Sequence, residues 1–309
     1  MTTEINAAAV ASAPAYGRIA VIGAGLIGGS IAHALRQGTV CERVVTYDAN
    51  AQHAREALAK GLVQEVAETL SDAVAGADAV ILAVPVRLTA QLLPEVVQHL
   101  AADALVMDMG SVKGAFTREG AALAPEVACR VVPCHPIAGH VTSGPAMADA
   151  GLMRGRLMII TPASVVGQDA IDRVRSLWTA VGFDVLQMTA QEHDAAYADL
   201  SHMPHVASFA LMHHLAATPL DRALLLRLGG NAVKDMTRFA ASNPRMWRDI
   251  LVENRGEVLR ALASFRGSLE QLEALIQRED APALEHLLEE IQASRPAGWS
   301  AVPAPASRP

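Results

Sequence analysis

His135 lies in the stretch Val132–Pro145, between a short apolar run and the turn Pro136-Ile137-Ala138-Gly139. A histidine that ends a strand and precedes small, kinking residues suits a loop where a ligand reaches the ring without entering the core. A neutral imidazole near pH 7 accepts a proton, so His135 is a candidate general base. Gly23-Ala24-Gly25-Leu26-Ile27-Gly28 offers a second chemistry, because it follows the β-branched run Arg18–Ile22 and precedes a helical pattern through Leu35. In that setting Gly23 permits a tight turn, Gly25 lets a pyrophosphate approach the backbone, and Gly28 lets helix and strand pack closely. The helix start, with Leu26 and Ile27, supplies free N–H groups to an anion. The next run, Arg43–Tyr47, ends in Asp48, with no arginine directly after it. A carboxylate there accepts from ribose hydroxyls and repels a 2′-phosphate, which favours NAD over NADP.

These residues need an α/β framework to bring them together. Further buried-strand runs are Ala79–Val84 before Pro85, Ala104–Met109 before Gly110-Ser111, then Val131–Cys134, Leu157–Thr161 and Asp184–Met188. Helical stretches intervene at Ala51–Lys60, Leu88–Leu100 and Val112–Leu123. The alternation predicts a Rossmann-type, doubly wound, mainly parallel sheet. Its strand ends carry Gly23, Asp48, Val84, Pro85, Ser111 and His135, as one ligand cleft along that edge requires.

From Gln191 onward the pattern is all-helical, over Gln191–Ala217, Leu220–Ala240 (interrupted at Gly229-Gly230), Arg245–Asn254, Glu257–Gln277 and Ala281–Ala293. We therefore expect a flexible start (1–16), a dinucleotide-binding domain (17–190), a helical substrate and dimerisation domain (191–293) and a disordered tail (294–309). The broad apolar coverage of the helices, as in Leu224, Leu225, Leu228, Leu259, Leu262 and Leu269, predicts a homodimer.

The chain's 309 residues suffice for two domains, and its net charge of −7 argues against nucleic acid, whose phosphates want a basic face. A small anionic substrate needs only one or two local cations. Cys41, Cys129 and Cys134 show no metal or disulfide spacing. The opening residues carry Glu4 and no basic region, and no apolar run would span a bilayer, so the expected location is the cytoplasm.

Further motifs follow in a fixed order: Asp108-Met109-Gly110-Ser111-Val112-Lys113, His135-Pro136-Ile137-Ala138-Gly139, Ser201-His202-Met203-Pro204-His205, Asp235-Met236-Thr237-Arg238 and Asn243-Pro244-Arg245-Met246-Trp247. With the opening GAGLIGGS, the series resembles the prephenate/arogenate dehydrogenase family of tyrosine biosynthesis over roughly residues 17–292. The resemblance implies NAD(P)-dependent oxidative decarboxylation of a cyclohexadienol. It implies that His135 accepts the hydroxyl proton, that Ser111 bonds the same hydroxyl or orients His135, and that Arg238 holds a substrate carboxylate. His205 becomes a further substrate contact, donating to the side-chain carboxylate. Gly139 and His140 lie beside the substrate in that scheme. His140 and Val141 stand where the family usually has Ser or Thr followed by Glu, so the choice between prephenate and arogenate stays open.

Plainer roles compete. Ser111 suits the N-cap of a helix from Val112. His193, with Asp194 beside it, reads as a hinge or cap rather than a catalytic group. Cys134 reads as a buried strand-end thiol and Trp247 as packing. A metal among His202, His205, His213 and His214 is not expected, because Pro204 breaks the spacing. A related hydroxyacid dehydrogenase would place a lysine at the start of the helical domain, and Gln191–Pro204 contains none. A non-catalytic NAD sensor explains the glycines and Asp48 but not His135, Ser111 and Arg238 together.

Overall fold

A computed structural model describes residues 15–297 except 39, 139–143 and 220. The expectations for residues 1–14 and 298–309 therefore lie outside the described residues. The chain divides into two compact units, Met1–Val258 and Leu259–Pro309.

In the first unit, β1 (Tyr16–Ile22), β2 (Cys41–Tyr47), β3 (Glu65–Val66), β4 (Ala79–Leu82) and β5 (Leu105–Asp108) form a parallel sheet of order β3-β2-β1-β4-β5. Tyr16 pairs with Cys41 and is buried, so the ordered sheet takes in the last residue of the expected flexible start. Successive residues of β1 serve opposite faces: Ile19 and Val21 join one apolar cluster, Ala20 and Ile22 the other. That two-sided burial explains the unbroken apolar runs of these strands.

Register decides where the strands end. Ile22 pairs with Tyr47 and with Leu82, and Leu82 pairs with Asp108. The carboxyl ends of β2, β1, β4 and β5 are thus level, and Asp48, Gly23, Ala83 and Met109 start their loops along one edge. The strand order reverses around β1, where a doubly wound sheet binds its ligand.

A departure from the expected parallel sheet follows β5. Val131 makes a single parallel bridge to Val106, and Pro133, which has no N–H to donate, interrupts the run. The chain re-forms as β6 (Cys134–Pro136), antiparallel to β7 (Leu157–Ile160), which in turn pairs parallel with β8 (Asp184–Gln187). His135 therefore lies within a strand, opposite Ile159, and not in a loop beyond one.

The expected helix Gln191–Ala217 is also broken. A capping box at Thr189 and Glu192 starts the helix Ala190–Tyr197. One π turn, Ala198–His202, separates it from the helix Met203–Ala216. Pro204, lacking an N–H, sits in the first turn of that second helix. Gly229-Gly230 ends the helix Arg222–Leu228, and a new helix, Asn231–Thr237, follows it. The helix Pro244–Glu253 completes this part of the first unit, and the second unit contains the helix Ala281–Ser294. Among the described residues no helix is long and apolar enough to cross a membrane.

Candidate active site

The glycine turn meets the steric demands of its motif in different ways at each glycine. Gly23 has φ +99°, and a Cβ there would lie 2.5 Å from the Ala83 carbonyl oxygen. A Cβ on Gly28 would come within 1.9 Å of the Gly23 carbonyl oxygen, so helix and turn pack backbone to backbone. Gly25, the N-cap of the helix Leu26–Gln37, has nothing within 4 Å of such a Cβ. The space at Gly25 is what a phosphate approaching the helix N–H groups needs, so the turn fits a dinucleotide. Ile27 and Val84 pack on the core from partly buried positions, and Pro85 is the N-cap of the helix Val86–Gln98. Asp48 is mostly buried and tied to the turn: its Oδ2 accepts from the Ala24 N–H at 2.8 Å and its Oδ1 from the Asn50 N–H at 2.8 Å. A carboxylate offers about four lone-pair sites, so acceptor capacity remains for a ribose.

The end of β5 is fastened to β6 by a group that the sequence did not single out. Lys113 is fully buried, and its Nζ donates to Asp108 Oδ2 at 2.6 Å and to the Cys134 carbonyl at 2.7 Å. Asp108 also accepts from the N–H groups of Gly110 and Cys134. Burial drives the Asp108 carboxyl upward against the opposing pull of the Lys113 ammonium. The pair holds the backbone on which His135 is mounted. Cys134 is buried, its thiol donating to the Val132 carbonyl, and burial raises its pKa far out of the reactive range.

His135 is half-buried, and its Nδ1 lies 2.8 Å from Nε2 of the fully buried His193. The Nδ1 of His193 lies 2.8 Å from Asp194 Oδ1. Asp194 in turn accepts from the backbone N–H groups of Lys113 (2.8 Å) and Gly114 (2.9 Å), capping the helix Gly114–Ala121 from outside it. That helix starts two residues later than the sequence suggests, so Ser111 is not its cap. Ser111 is half-buried in the loop after β5. The Tyr197 ring lies 4.9 Å from His135 and stacks on His193 at 4.6 Å.

Burial, with the nearby His193, Lys113 and His202, holds the His135 pKa well below its usual value, so the ring is neutral at pH 7. Burial also lowers His193, against the pull of Asp194. At Asp194 burial pushes upward, but the bonds from His193, Lys113 and Gly114 outweigh it and keep the carboxylate ionised. His193 and Asp194 thus belong to the site, beyond the cap or hinge expected of them. The adjacent His-Asp pair behind the Thr189/Glu192 capping box was the available signal.

A second group forms around Trp247, which packs as expected against Val86, Val112 and Ile250. His205 stacks on Trp247 at 3.6 Å and lies 4.3 Å from Phe239, and the Arg238 guanidinium sits 4.4 Å over the Phe239 ring. The structure therefore brings Arg238 and His205 together, with Arg238 exposed. His205 Nδ1 donates to the Ser201 carbonyl at 2.8 Å, and burial lowers the ring's pKa. The neutral ring then offers Nε2 as an acceptor, whereas the expected donation to a carboxylate would need the ring protonated. His202 connects the groups: its ring meets Trp247 edge-on at 6.0 Å, and its Nδ1 lies 3.1 Å from Nδ2 of Asn254, which also donates to the Asp194 carbonyl. Gly139 and His140 lie outside the described residues.

Known proteins resemble this chain in sequence and fold. Residues 31–187 match the model of the prephenate dehydrogenase nucleotide-binding domain, and residues 189–290 that of the prephenate dehydrogenase dimerization domain. The chain belongs to the prephenate dehydrogenase family. It is accordingly an NAD-dependent dehydrogenase that carries out an oxidative decarboxylation in tyrosine biosynthesis. It is 32% identical to a cyclohexadienyl dehydrogenase of Zymomonas mobilis over 91% of this chain and 95% of that protein. Its fold matches a crystal structure of the Aquifex aeolicus prephenate dehydrogenase in complex with hydroxyphenyl propionate and NAD+, at TM-score 0.84 and 32% identity, covering 90% of this chain and 97% of that one. It also matches a Synechocystis arogenate dehydrogenase at TM-score 0.77 and 27% identity, covering 90% of this chain and 98% of that one.

Proposed function

We propose that this member of the family oxidises prephenate, arogenate or both, with His135 as the base. The observation that carries the assignment is the engagement of His135 Nδ1 by His193, which leaves Nε2 as the nitrogen available to a substrate. Gly23, Gly25, Leu26, Ile27 and Gly28 would hold the pyrophosphate of NAD, with Val84 and Pro85 beside the turn. Asp48 would hold the adenosine ribose and disfavour NADP. Bound NAD supplies a two-electron acceptor for the ring carbon that bears the hydroxyl. His135 takes the hydroxyl proton at Nε2, and Ser111 bonds the same hydroxyl or orients the imidazole. Arg238 holds a substrate carboxylate through its planar fork, and His205 offers Nε2 to a hydroxyl or ammonium of the substrate. Gly139 and His140 complete the substrate contacts. Loss of the ring carboxylate as CO2 is driven by aromatisation and needs no acid on the departing group.

The match to a dimerization domain supports a homodimer through the helical part. The described cysteines are free thiols, which accords with a reducing, cytoplasmic setting. Side-by-side assays of NADH formation from prephenate and arogenate test the reading. We expect turnover of at least one; turnover of neither removes it.

A further inference from the structure

The chain His135–His193–Asp194 does more than fill space beneath the base. Asp194 is ionised and its oxygens already accept from the N–H groups of Lys113 and Gly114, so it can only accept from His193. His193 must then carry its proton on Nδ1 and, being neutral, presents a bare Nε2 to His135. That lone pair requires the proton of His135 to sit on Nδ1. The His135 Nε2 is left bare.

We propose that His193 and Asp194 are positioning residues, fixing the tautomers of two imidazoles in series so that His135 Nε2 is always the acceptor for the substrate hydroxyl. The proposal rests on the reading of His135 as the base. It includes a balanced proton step. As the O–H bond of the substrate breaks, a new N–H bond forms at His135 Nε2. The His135 Nδ1–H bond then breaks as an N–H bond forms at His193 Nε2. His135 returns to neutral with its proton on Nε2, and the positive charge rests on His193, in direct contact with the Asp194 carboxylate. Both rings feel the buried Lys113 ammonium, but only His193 is in contact with a carboxylate, so the charge moves to the ring against an anion.

The groups facing these imidazoles are Lys113 and Asp108 from the end of β5 and its loop, Tyr197 one helical turn along, and His202 from the π turn. Of these only Asp108 can be an anion. It is held by Lys113 and by the backbone N–H groups of Gly110 and Cys134, so Asp194 is the carboxylate in contact with the relay.

The test is nitrogen-15 NMR of histidine-labelled full-length protein at neutral pH, joined to kinetics of His193→Leu and His193→Gln. In the wild type both His135 and His193 should be Nδ1–H tautomers; an Nε2–H tautomer at either overturns the proposal, whether or not the protein turns over. His193→Leu should shift His135 toward the Nε2–H form and lower kcat by about 100-fold, with substrate and NAD KM changed less than about threefold. The glutamine carbonyl of His193→Gln can accept from His135 Nδ1–H, so that variant should retain the tautomer and recover at least about tenfold of the lost kcat. A leucine variant within about threefold of wild-type kcat, or equal losses for both variants, overturns the positioning role. If His193→Leu does not fold, the wild-type tautomers and the glutamine variant still decide. Wild-type protein with the expected tautomers but no turnover of either substrate would instead refute the reading of the reaction.

Discussion

Around His135 the groups His193, Asp194, Lys113 and Asp108 are each fixed by another polar group, whereas around His205 and Arg238 aromatic faces hold the cation and leave it in water. The first neighbourhood is assembled from distant segments: β5, β6 and the helix Ala190–Tyr197 meet through Lys113, Asp108, His193 and Asp194. The second is assembled largely within the helical segment, from His205, Phe239 and Trp247. The difference follows from the tasks. A base needs one tautomer and a dry surrounding, and both come from buried hydrogen bonds without loose ends. An anchor for a carboxylate must reach a ligand that arrives from solvent, and a stacked guanidinium keeps its donors free while its plane is oriented.

The contrast predicts unequal costs when each side is broken. Lys113→Met leaves Asp108 buried without its cation and should destabilise the fold by about 3–5 kcal/mol in chemical denaturation. Stability near wild type would mean that the pair does not fasten β5 to β6. His135→Asn should lower kcat by about 100-fold or more, with NAD affinity from fluorescence titration unchanged; an active variant would remove the base.

Acid should strike the first neighbourhood selectively. His135, His193 and His202 have folded pKa values below 6.5, that of His202 about 4, while the unfolded chain takes up protons near 6.5. The stability present above 6.5 is therefore lost as pH falls toward 4, by at most about 1.4 kcal/mol per pH unit for each histidine. The acid limb of kcat/KM should have its midpoint below 6.5, and a midpoint above it would contradict the burial argument.

In the second neighbourhood, Arg238→Lys should raise the substrate KM by about tenfold and alter kcat less, since a point charge replaces a fork. An unchanged KM would leave the carboxylate without its proposed partner. The smallest effect is expected at Asp48→Asn, which keeps an acceptor for the Ala24 N–H. It should narrow the NAD/NADP preference by about fivefold, the worth of roughly one hydrogen bond.

The glycine turn was legible because each glycine answers a local steric demand that the strand before and the helix after make visible. His135 was legible as a histidine beside small residues, but its strand was not. Pro133 shifts pairing from the parallel sheet to an antiparallel partner, and only the position of β7 reveals that. His193 lies 58 residues from His135, and nothing local specifies their contact. Lys113 was visible in sequence, yet a lysine after a strand ordinarily points to solvent. Its burial depends on Asp108 and the Cys134 carbonyl converging on it.

The π turn at Ala198–His202 has a geometric consequence. Each residue of an α-helix advances the azimuth by about 100°, so one extra residue in a turn offsets everything downstream by that amount. Before the offset Tyr197 looks toward His135; after it His205 lies flat on Trp247. The same residues wound as an unbroken α-helix would carry His205 off the indole by roughly a quarter revolution, with the His135 side held in phase. The insertion works as a fixed angular gear between the half of the helix that serves the proton and the half that serves the substrate.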